Sequence, residues 1–502
     1  MSFVSVTGTL GLPPAPSIFL GSAWGAAEDD TPLTFLDLPA PVEGPPPDPN
    51  ALYCPPGAEL YAYQDEGVQF LLEHPVALLG DEMGLGKSIQ AITALRALLH
   101  RGEATRVLIL SPKSILFDWY YKLRQWAPDL RTVPIEGPKR RRTWYWRCKA
   151  HVFLVGYETW TRDLKDGLVD PAPFDLVILD EVQRIKNPDT ATHLAVAKLD
   201  APRRWGLSGT PMENRVEELV AIFAYLKPGL LPMIKGSTPA AVRREVAPYV
   251  LRRRKLDVLQ LPPKESRVVW LDLTPVQRMA YEALERAGVQ TMRLAGQSSV
   301  PMLALALITK LKQVCNLDTL TGASAKMSFL EKELTRLAGD GEKALVFSQY
   351  PEKTLKPLLP RMNRFGAALF DGNLTDWNRQ LLIHRFQQLD DPRVLAMSLK
   401  CGGVGITLTR ANHVYHFDHW WNPAAAAQAE DRTHRIGQKK PVYVTTLLTR
   451  GTIEERIAEL VEQKRELFRQ VMDPLTDMEA GEELALGKML TRDDLMGLFG
   501  LH

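Results

Sequence analysis

Cysteine is scarce in this chain, with four among 502 residues. Cys54, Cys148, Cys315 and Cys401 lie far apart, and no CxxC pair occurs. Zinc sites and disulfide frameworks usually need cysteines at short, regular spacings. The sequence therefore gives no support to either, and it fits a reducing compartment best.

Long apolar runs are absent too, because no stretch reaches the ~18 apolar residues of a membrane span. The first twenty residues lack a basic start and are interrupted by prolines, unlike a secretory signal. A hydrophobic share of 45% and a charged share of 24% are ordinary for globular proteins. We therefore expect a folded, cytoplasmic protein without a membrane-spanning segment.

Excess charge of either sign is also small, since the formal net charge is +2. If the protein binds nucleic acid, the positive charge must be local. Two basic clusters offer such a site, at residues 139–147, where tryptophans are interleaved, and at residues 252–255. The first also suits a solvated helix with arginines lying over tryptophans. The second is equally consistent with a bridge between lobes.

Strand-like apolar runs alternate with helical patterns twice along the chain, which predicts an α/β fold with two doubly wound, parallel-sheet lobes. A basic, helical insertion separates the two patterns, and a long amphipathic helix follows the second. We divide the chain into a proline-rich arm (1–57), a first lobe (58–226), an insertion and linker (227–325), a second lobe (326–450), and a C-terminal helix with a tail (451–502).

A glycine-rich stretch, GDEMGLGKS at residues 80–88, follows a predicted strand and opens a predicted helix. Backbone amides of such a loop and the helix N-terminus can surround phosphate oxygens. Lys87 would reach the β- and γ-phosphates, and the Ser88 hydroxyl would bind magnesium. The general phosphate-loop pattern requires glycine where Asp81 stands, so a simple glycine-rich turn remains the alternative.

Two carboxylates, Asp180 and Glu181, end an apolar strand about 95 residues further on. The carboxyl ends of parallel strands meet at one edge of a sheet, so this pair is expected beside the phosphate loop. Asp180 can hold magnesium, and Glu181 can polarise a water for attack on the γ-phosphate. A solvated acidic turn is the alternative interpretation.

Two arginines, Arg432 and Arg435, are spaced to share one face of a predicted helix, residues 424–435. They could stabilise transition-state charge at a nucleotide as arginine fingers. Taken alone, an exposed charged helix is the simpler interpretation.

Seven motifs in order resemble those of superfamily-two helicase-like ATPases, specifically the Swi/Snf-type double-stranded DNA translocases. They are DEMGLGKS (81–88), LDEVQRIKN (179–187), LSGTPMEN (207–214), VFSQY (346–350), SLKCGGVGITLT (398–409), WWNP (420–423) and EDRTHRIGQ (430–438). The resemblance covers about residues 58–472. It implies two RecA-like lobes, a helical insertion between them, a C-terminal brace helix, and ATP with magnesium as cofactors.

The resemblance also implies roles for single residues of an ATP site. Those assigned to nucleotide binding are Gln64, Asp81, Gly84, Gly86, Lys87, Ser88 and Gln428. Those assigned to catalysis are Lys87, Asp180, Glu181, Arg432 and Arg435, with Ser88 and Asp180 on the metal. Gln183, Ser208 and Thr210 would couple hydrolysis to movement. The family usually has His at position 183, and we expect glutamine to bridge toward Ser208 instead.

DNA contacts are expected at strand ends, where hydroxyls, backbone amides and lysines suit phosphate oxygens. The candidates are Ser111, Lys113, Tyr157, Thr159, Ser348, Ser398, Lys400, Gly402, Gly403 and Thr409. Such contacts carry no sequence information, so binding should show little sequence preference and a strong salt dependence.

The function that these motifs predict is an ATP-dependent translocase on double-stranded DNA that remodels protein–DNA complexes without obligatory strand separation. A strand-separating helicase and a nucleotide-gated DNA-binding or motor subunit of a larger defence complex are the alternatives. Few residues flank the core, which favours a bacterial, archaeal or phage protein near the nucleoid over a nuclear remodeller.

Overall fold

The structure is a computed structural model. It describes residues 54–171, 174–209, 216–231, 239–295, 299–374, 376–398, 406–418, 423–472, 494 and 497–500. These residues divide into two compact units. The first holds most of the chain up to Arg253, and the second begins at Arg254 and also includes residues 83–85. Most of the arm, residues 1–53, lies outside the described residues.

The first unit is built on a seven-stranded sheet in which every pairing is parallel. Its strands are β1 (Val76–Leu79), β2 (Val107–Ser111), β3 (Thr132–Ile135), β4 (Val152–Gly156), β5 (Leu176–Asp180), β6 (Arg203–Leu207) and β7 (Val250–Leu251). The strand order is β3-β4-β2-β5-β6-β1-β7. β1, β2 and β5, which precede the predicted functional segments, therefore lie inside the sheet.

Helices connect these strands, as a parallel sheet requires. They are α1 (Ala62–Glu73), α2 (Lys87–His100), α3 (Leu116–Trp126), α4 (Lys139–Trp146), α5 (Tyr157–Lys165), α6 (Ala191–Val196), α7 (Val216–Leu226) and α8 (Pro239–Val246). Apolar side chains of the strands and of several helices form a buried core that includes Leu110, Trp160, Leu179 and Phe223. This core holds the sheet in place, and the loops that follow β1 and β5 extend from that sheet.

The second unit contains a six-stranded, fully parallel sheet in the order β10-β11-β9-β12-β13-β8. Its strands are β8 (Lys264–Leu271), β9 (Ala344–Ser348), β10 (Ala367–Phe370), β11 (Val394–Ser398), β12 (His413–His416) and β13 (Val442–Thr449). Alternate residues of β9 enter different cores: Ala344 and Val346 join one, and Leu345 and Phe347 join another. Both faces of this sheet are therefore covered at its central strand β9, which is apolar except for its last residue, Ser348.

The helices of the second unit cover this sheet and form a separate bundle. They are α9 (Lys255–Val258), α10 (Pro275–Leu294), α11 (Val300–Asn316), α12 (Ala325–Gly339), α13 (Lys356–Asn363), α14 (Asp376–Gln388), α15 (Pro423–Glu430) and α16 (Ile453–Met472). Ile453 and Ile457 of α16 pack with Tyr281 and Leu311 of α10 and α11. The part of α16 beyond Glu462 has no described side chains, so a return to the first lobe stays a prediction.

The predicted α/β class with two parallel sheets is confirmed. The sequence predicts strands at residues 76–79 and 367–370 and helices at residues 87–100 and 376–388, and β1, β10, α2 and α14 have these limits. The description of residues 227–325 as helical is incomplete, because β7 and β8 belong to the two sheets. The first five residues of β8 are exposed, so this edge strand lacks the apolar run that marks a buried one. β3 was also missed, since Pro134 interrupts it and proline is tolerated only at sheet edges. The five segment boundaries stay a prediction.

The basic cluster at residues 139–147 is largely structural. Arg142 of α4 is buried and donates through Nε to both carboxylate oxygens of Asp163, at 2.9 and 3.0 Å. Trp146 Nε1 donates to the same carboxylate at 3.0 Å. Lys139, in contrast, makes an exposed ion pair with Asp166. The interpretation as a helix is correct, but Arg142 forms a buried ion pair with Asp163 and is not solvated at the surface.

We expect Asp163→Ala to destabilise the first unit by about 3–5 kcal/mol, because it leaves a buried guanidinium without its counter-ion. Lys139→Gln is the matched control, and it should change stability by less than about 0.5 kcal/mol because its ion pair is exposed. Thermal unfolding of the full chain measures both. Equal unfolding midpoints for the two variants would contradict this account of Asp163.

Candidate active site

The glycine-rich loop lies between β1 and α2, at the carboxyl end of β1. Gly84 and Gly86 have φ of +87° and +80°, values that other residues rarely adopt. The helix begins at Lys87, directly after Gly86. The backbone therefore has the shape of a phosphate-binding loop, with amides and a lysine at a helix N-terminus.

Asp81 supports this loop from inside. Its carboxylate is fully buried and accepts from Arg253 NH2 at 2.6 Å and from Gln90 Nε2 at 3.1 Å. The Lys87 ammonium donates to the backbone oxygen of Asp81 at 2.7 Å. The assignment of Asp81 to nucleotide binding stays a prediction, and its carboxylate is already paired within the protein. It acts on the loop's shape.

Gln64 approaches the same loop from α1. Its side chain is almost completely buried, and its Oε1 accepts from the Tyr61 backbone at 3.1 Å. A β-carbon placed on Gly86 would lie 2.4 Å from Gln64 Nε2. The positive φ of Gly86 favours glycine there, and a larger residue would also displace the Gln64 amide. The adenine-reading role of Gln64 stays a prediction.

The carboxylate pair ends β5, as predicted. Asp180 Oδ2 accepts from Trp119 Nε1 at 2.6 Å, and its Oδ1 accepts from the Glu181 backbone at 3.0 Å. Glu181 has φ of +50°, which costs a non-glycine residue about 1–2 kcal/mol. That conformation turns the chain sharply just after the strand. The two neighbouring carboxylates therefore have different surroundings.

The pKa of Asp180 is raised to about 6, chiefly by burial and next by the charge of Glu181. The Trp119 hydrogen bond and the charges of Lys87 and Lys122 act in the opposite direction. β1 and β5 flank β6 in one parallel sheet, so the phosphate loop and the carboxylate pair lie at the same edge of that sheet. The predicted juxtaposition of these two motifs is present in the first unit.

Gln183 connects the carboxylate motif to the end of β6. Its Nε2 donates to Glu181 Oε2 at 2.6 Å, and its Oε1 accepts from Ser208 Oγ at 2.7 Å. The predicted hydrogen bond to Ser208 is thus present, and the contact with Glu181 is new. A coupling role for these residues stays a prediction, and Thr210 lies outside the described residues.

Sequence reasoning missed Trp119 and misassigned Tyr157. Trp119 is fully buried in α3 and has no place in the motif series. Tyr157 was expected at DNA, but its side chain is buried and its hydroxyl donates to the Asp180 backbone oxygen at 2.8 Å. Burial raises the pKa of this hydroxyl well above its usual range. Both rings therefore hold the end of β5.

The arginine segment of the second unit differs from its prediction. The helix α15 ends at Glu430, and the backbone continues in turns, with the Thr433 amide bonding to the Glu430 oxygen at 2.9 Å. Arg432 and Arg435 therefore do not share a helix face. Gln428 lies on α15 and is half-buried, Arg432 is buried, and Arg435 is half-buried.

The other candidate DNA residues fall into three groups. Side chains that are buried, and so cannot serve as surface contacts here, are those of Ser111, Ser348 and Ser398. Side chains with exposed or half-exposed surface are those of Lys113, Thr159 and Thr409. Lys400, Gly402 and Gly403 lie outside the described residues. The serines fill strand ends, and Ser348 bonds to Asp418.

Within the described part of the chain, no group of three or more His, Cys, Asp or Glu side chains is arranged to hold a metal ion. Among the same residues, no helix combines the length and apolar character that crossing a membrane requires.

Comparison with known proteins identifies two domains. The SNF2-related domain matches residues 63–236 and 237–320, more than half of the chain, and the helicase conserved C-terminal domain matches residues 325–437. A protein of Bacillus subtilis (strain 168) is 33% identical over 451 residues, which cover 82% of this chain and 49% of that protein. An "Uncharacterized ATP-dependent helicase" of Mycoplasma pneumoniae is 31% identical, covering 87% of this chain and 44% of its own length.

Among solved structures, a Sulfolobus solfataricus SWI2/SNF2 ATPase core in complex with dsDNA is 28% identical, covering 90% of this chain and 99% of that one, with a TM-score of 0.40. The chain spans about half the length of the curated relatives it matches. From the extent of the SNF2-related match, together with the loop and carboxylates of the first unit, the chain belongs to the SNF2-related family.

Proposed function

We propose that this protein is an ATP-dependent translocase on double-stranded DNA. The observation that carries the proposal is the placement of Lys87 and of the Asp180–Glu181 pair at one edge of a single parallel sheet. Lys87 is close enough to Asp180 to lower its pKa. A cation for phosphate oxygens and a carboxylate for a metal are the two parts that phosphoryl transfer needs first.

Magnesium fits the donors that are present. Ser88 and Asp180 offer a hydroxyl and a carboxylate oxygen, which are hard ligands, and both follow parallel strands of the same sheet. Mg²⁺ usually takes one or two protein oxygens and completes its shell with phosphates and water. Ser88 and Asp180 would hold the ion, which would neutralise charge on the phosphates. Glu181 would orient the attacking water.

We assign Arg432, Arg435 and Gln428 to the same chemistry because of their place in the motif series. Guanidinium groups can stabilise the charge that spreads over the transferred phosphoryl group. Their segment is non-helical after Glu430, so tertiary contacts must fix its conformation. Gln64 would read the adenine from α1.

The proposed DNA contacts are now fewer than the sequence implied. Lys113, Thr159 and Thr409 keep accessible side chains and follow or flank strands of the two sheets. The glycine-rich segment at 402–403 and Lys400 remain candidates through their place in the motif series. A lysine, hydroxyls and backbone amides suit phosphates, and so suit a protein that moves along DNA without reading it.

We expect duplex DNA to stimulate ATP turnover, and Lys87→Ala and Glu181→Gln each to lower the stimulated rate by at least about 100-fold, because each removes charge stabilisation or water activation. Lys198→Ala and Glu59→Gln are matched controls at exposed positions. Turnover is measured with and without duplex DNA at several salt concentrations.

The outcome separates the candidate functions. Displacement of the third strand of a DNA triplex with ATP, without separation of a forked duplex, supports a translocase. Separation of the forked duplex would show a helicase. Nucleotide binding without turnover on any DNA would contradict the proposal and favour a nucleotide-gated module.

We expect Gln183→Leu to lower the DNA-stimulated turnover number roughly 10- to 100-fold with little change in KM for ATP, because hydrogen bonds to charged groups contribute about 1.5–3 kcal/mol. Gln183→His, which keeps a donor and an acceptor, should retain most of the rate. Steady-state kinetics with saturating DNA test both variants. A Gln183→Leu enzyme with the wild-type turnover number would show that the bridge from Glu181 to Ser208 has no catalytic role.

A further inference from the structure

The basic run Arg252–Lys255 contains two kinds of cation. Arg252 and Arg254 are exposed, whereas the side chains of Arg253 and Lys255 are only 10% and 4% exposed. The run follows β7 and ends at Lys255, the first residue of α9, and its exposed and buried side chains alternate. The two inward cations therefore have partners and roles different from those of the outward pair.

Arg253 holds the phosphate loop of the first unit. Its Nε donates to Asp81 Oδ1 at 3.0 Å and its NH2 to Asp81 Oδ2 at 2.6 Å, a two-point contact that a planar guanidinium makes well. NH2 also donates to Gln90 Oε1 at 2.9 Å. The Glu82 amide bonds to the Arg253 backbone oxygen at 2.9 Å. Side chain and backbone of the linker thus both bind the loop.

The surrounding packing leaves this contact little freedom. A β-carbon on Gly67 would lie 1.8 Å from Gln90 Oε1 and 2.8 Å from Arg253 NH2. Asp81 also accepts a hydrogen bond from the Lys87 ammonium on its backbone oxygen, at 2.7 Å. Because Arg253 holds Asp81, it also fixes the position of this oxygen. A change at Arg253 should therefore reach Lys87 through the loop.

Lys255 holds the arginine segment of the second unit. Its ammonium forms an ion pair with Asp431 and donates to the His434 backbone oxygen at 3.2 Å. These two partners stand on either side of Arg432, and His434 directly precedes Arg435. The imidazole of His434 donates through Nε2 to the Pro262 backbone oxygen at 2.9 Å. The linker thereby holds the turns that follow α15.

We infer that Arg253 and Lys255 are positioning residues for ATP chemistry, Arg253 for the phosphate loop and Lys255 for the arginine segment. The inference rests on the proposed function. The inference predicts that changes at Arg253 and at Lys255 alter different kinetic constants. The phosphate loop binds ground-state nucleotide, whereas the arginines act on transition-state charge, so Arg253 should govern KM and Lys255 the turnover number.

The test uses the full chain, ATP turnover with saturating duplex DNA, and calorimetric titration with ADP. Arg253→Lys keeps the positive charge and loses the two-point contact of the guanidinium with the Asp81 carboxylate. We expect about a tenfold rise in KM for ATP and in Kd for ADP, with the turnover number within threefold of wild type. Lys255→Met should lower the turnover number about tenfold with KM within threefold, and Lys255→Arg should restore most of it.

Arg254→Gln is the matched control, because it removes an exposed cation between the two positions. It should leave both constants within twofold of wild type. Asp81→Asn with Arg253→Lys completes a double-mutant cycle, in which the double variant should be no worse than the worse single one. The unfolding midpoint of each variant is measured as well. A lower midpoint together with a higher KM and a lower turnover number in the same variant would show a merely structural role and contradict the inference.

Wild-type constants in Arg253→Lys or in Lys255→Met would overturn the inference, as would an equal loss in Arg254→Gln. These outcomes leave the proposed function intact if the wild-type chain turns over ATP. A wild-type chain that neither binds ADP nor hydrolyses ATP would remove the proposed function, and the inference with it.

Discussion

The buried ion pair between Asp81 and Arg253 is the constraint on which the nucleotide loop depends. A carboxylate without solvent exposure is costly unless a cation and further donors surround it, and here a guanidinium and the Gln90 amide do so. Because Arg253 belongs to the segment after β7, the loop after β1 takes its shape from a residue about 170 positions away. The loss of space at Gly67 and the place of Lys87 follow from the same contact. A buried ionic contact thus supports the backbone oxygen to which the Lys87 ammonium donates.

The second unit also contains buried charged side chains, and a cluster of opposite charges and hydrogen bonds stabilises them. The buried Lys326 ammonium donates to Glu454 at 2.7 Å, to Asn316 at 3.0 Å and to the Phe417 backbone oxygen at 2.9 Å. Asn316 donates in turn to Asp418, which also accepts from the Gln349 amide at 3.1 Å. Because each buried charge has partners, the cluster can fix the ends of β9 and β12 and the start of α16 together. Ser348 belongs to this interior network, which explains why it is not exposed for DNA.

Much of the fold could be predicted because central strands of parallel sheets are apolar throughout, and β1 and β10 have the limits that their sequences suggest. Edge strands could not, since β8 is polar over its first half and β3 contains Pro134. At the site, the motif order located Lys87, Asp180 and Glu181, because short-range patterns position them. Trp119 and Arg253 act through contacts with residues distant in sequence, so a local sequence pattern does not predict their roles. The helix expected to carry Arg432 and Arg435 ends early, a boundary that spacing alone does not determine.

The glutamine at position 183 shows how a departure from the family pattern can still preserve its geometry. A neutral imidazole has one donor and one acceptor nitrogen, and protonation near pH 6.5 removes the acceptor. An amide has both at every pH, and here it uses them on Glu181 and Ser208. The connection between the carboxylate motif and the end of β6 therefore does not depend on a protonation state. Burial raises the pKa of Asp180 to about 6, so a histidine at position 183 would add a second group that changes its charge in the same pH range. Glutamine adds none.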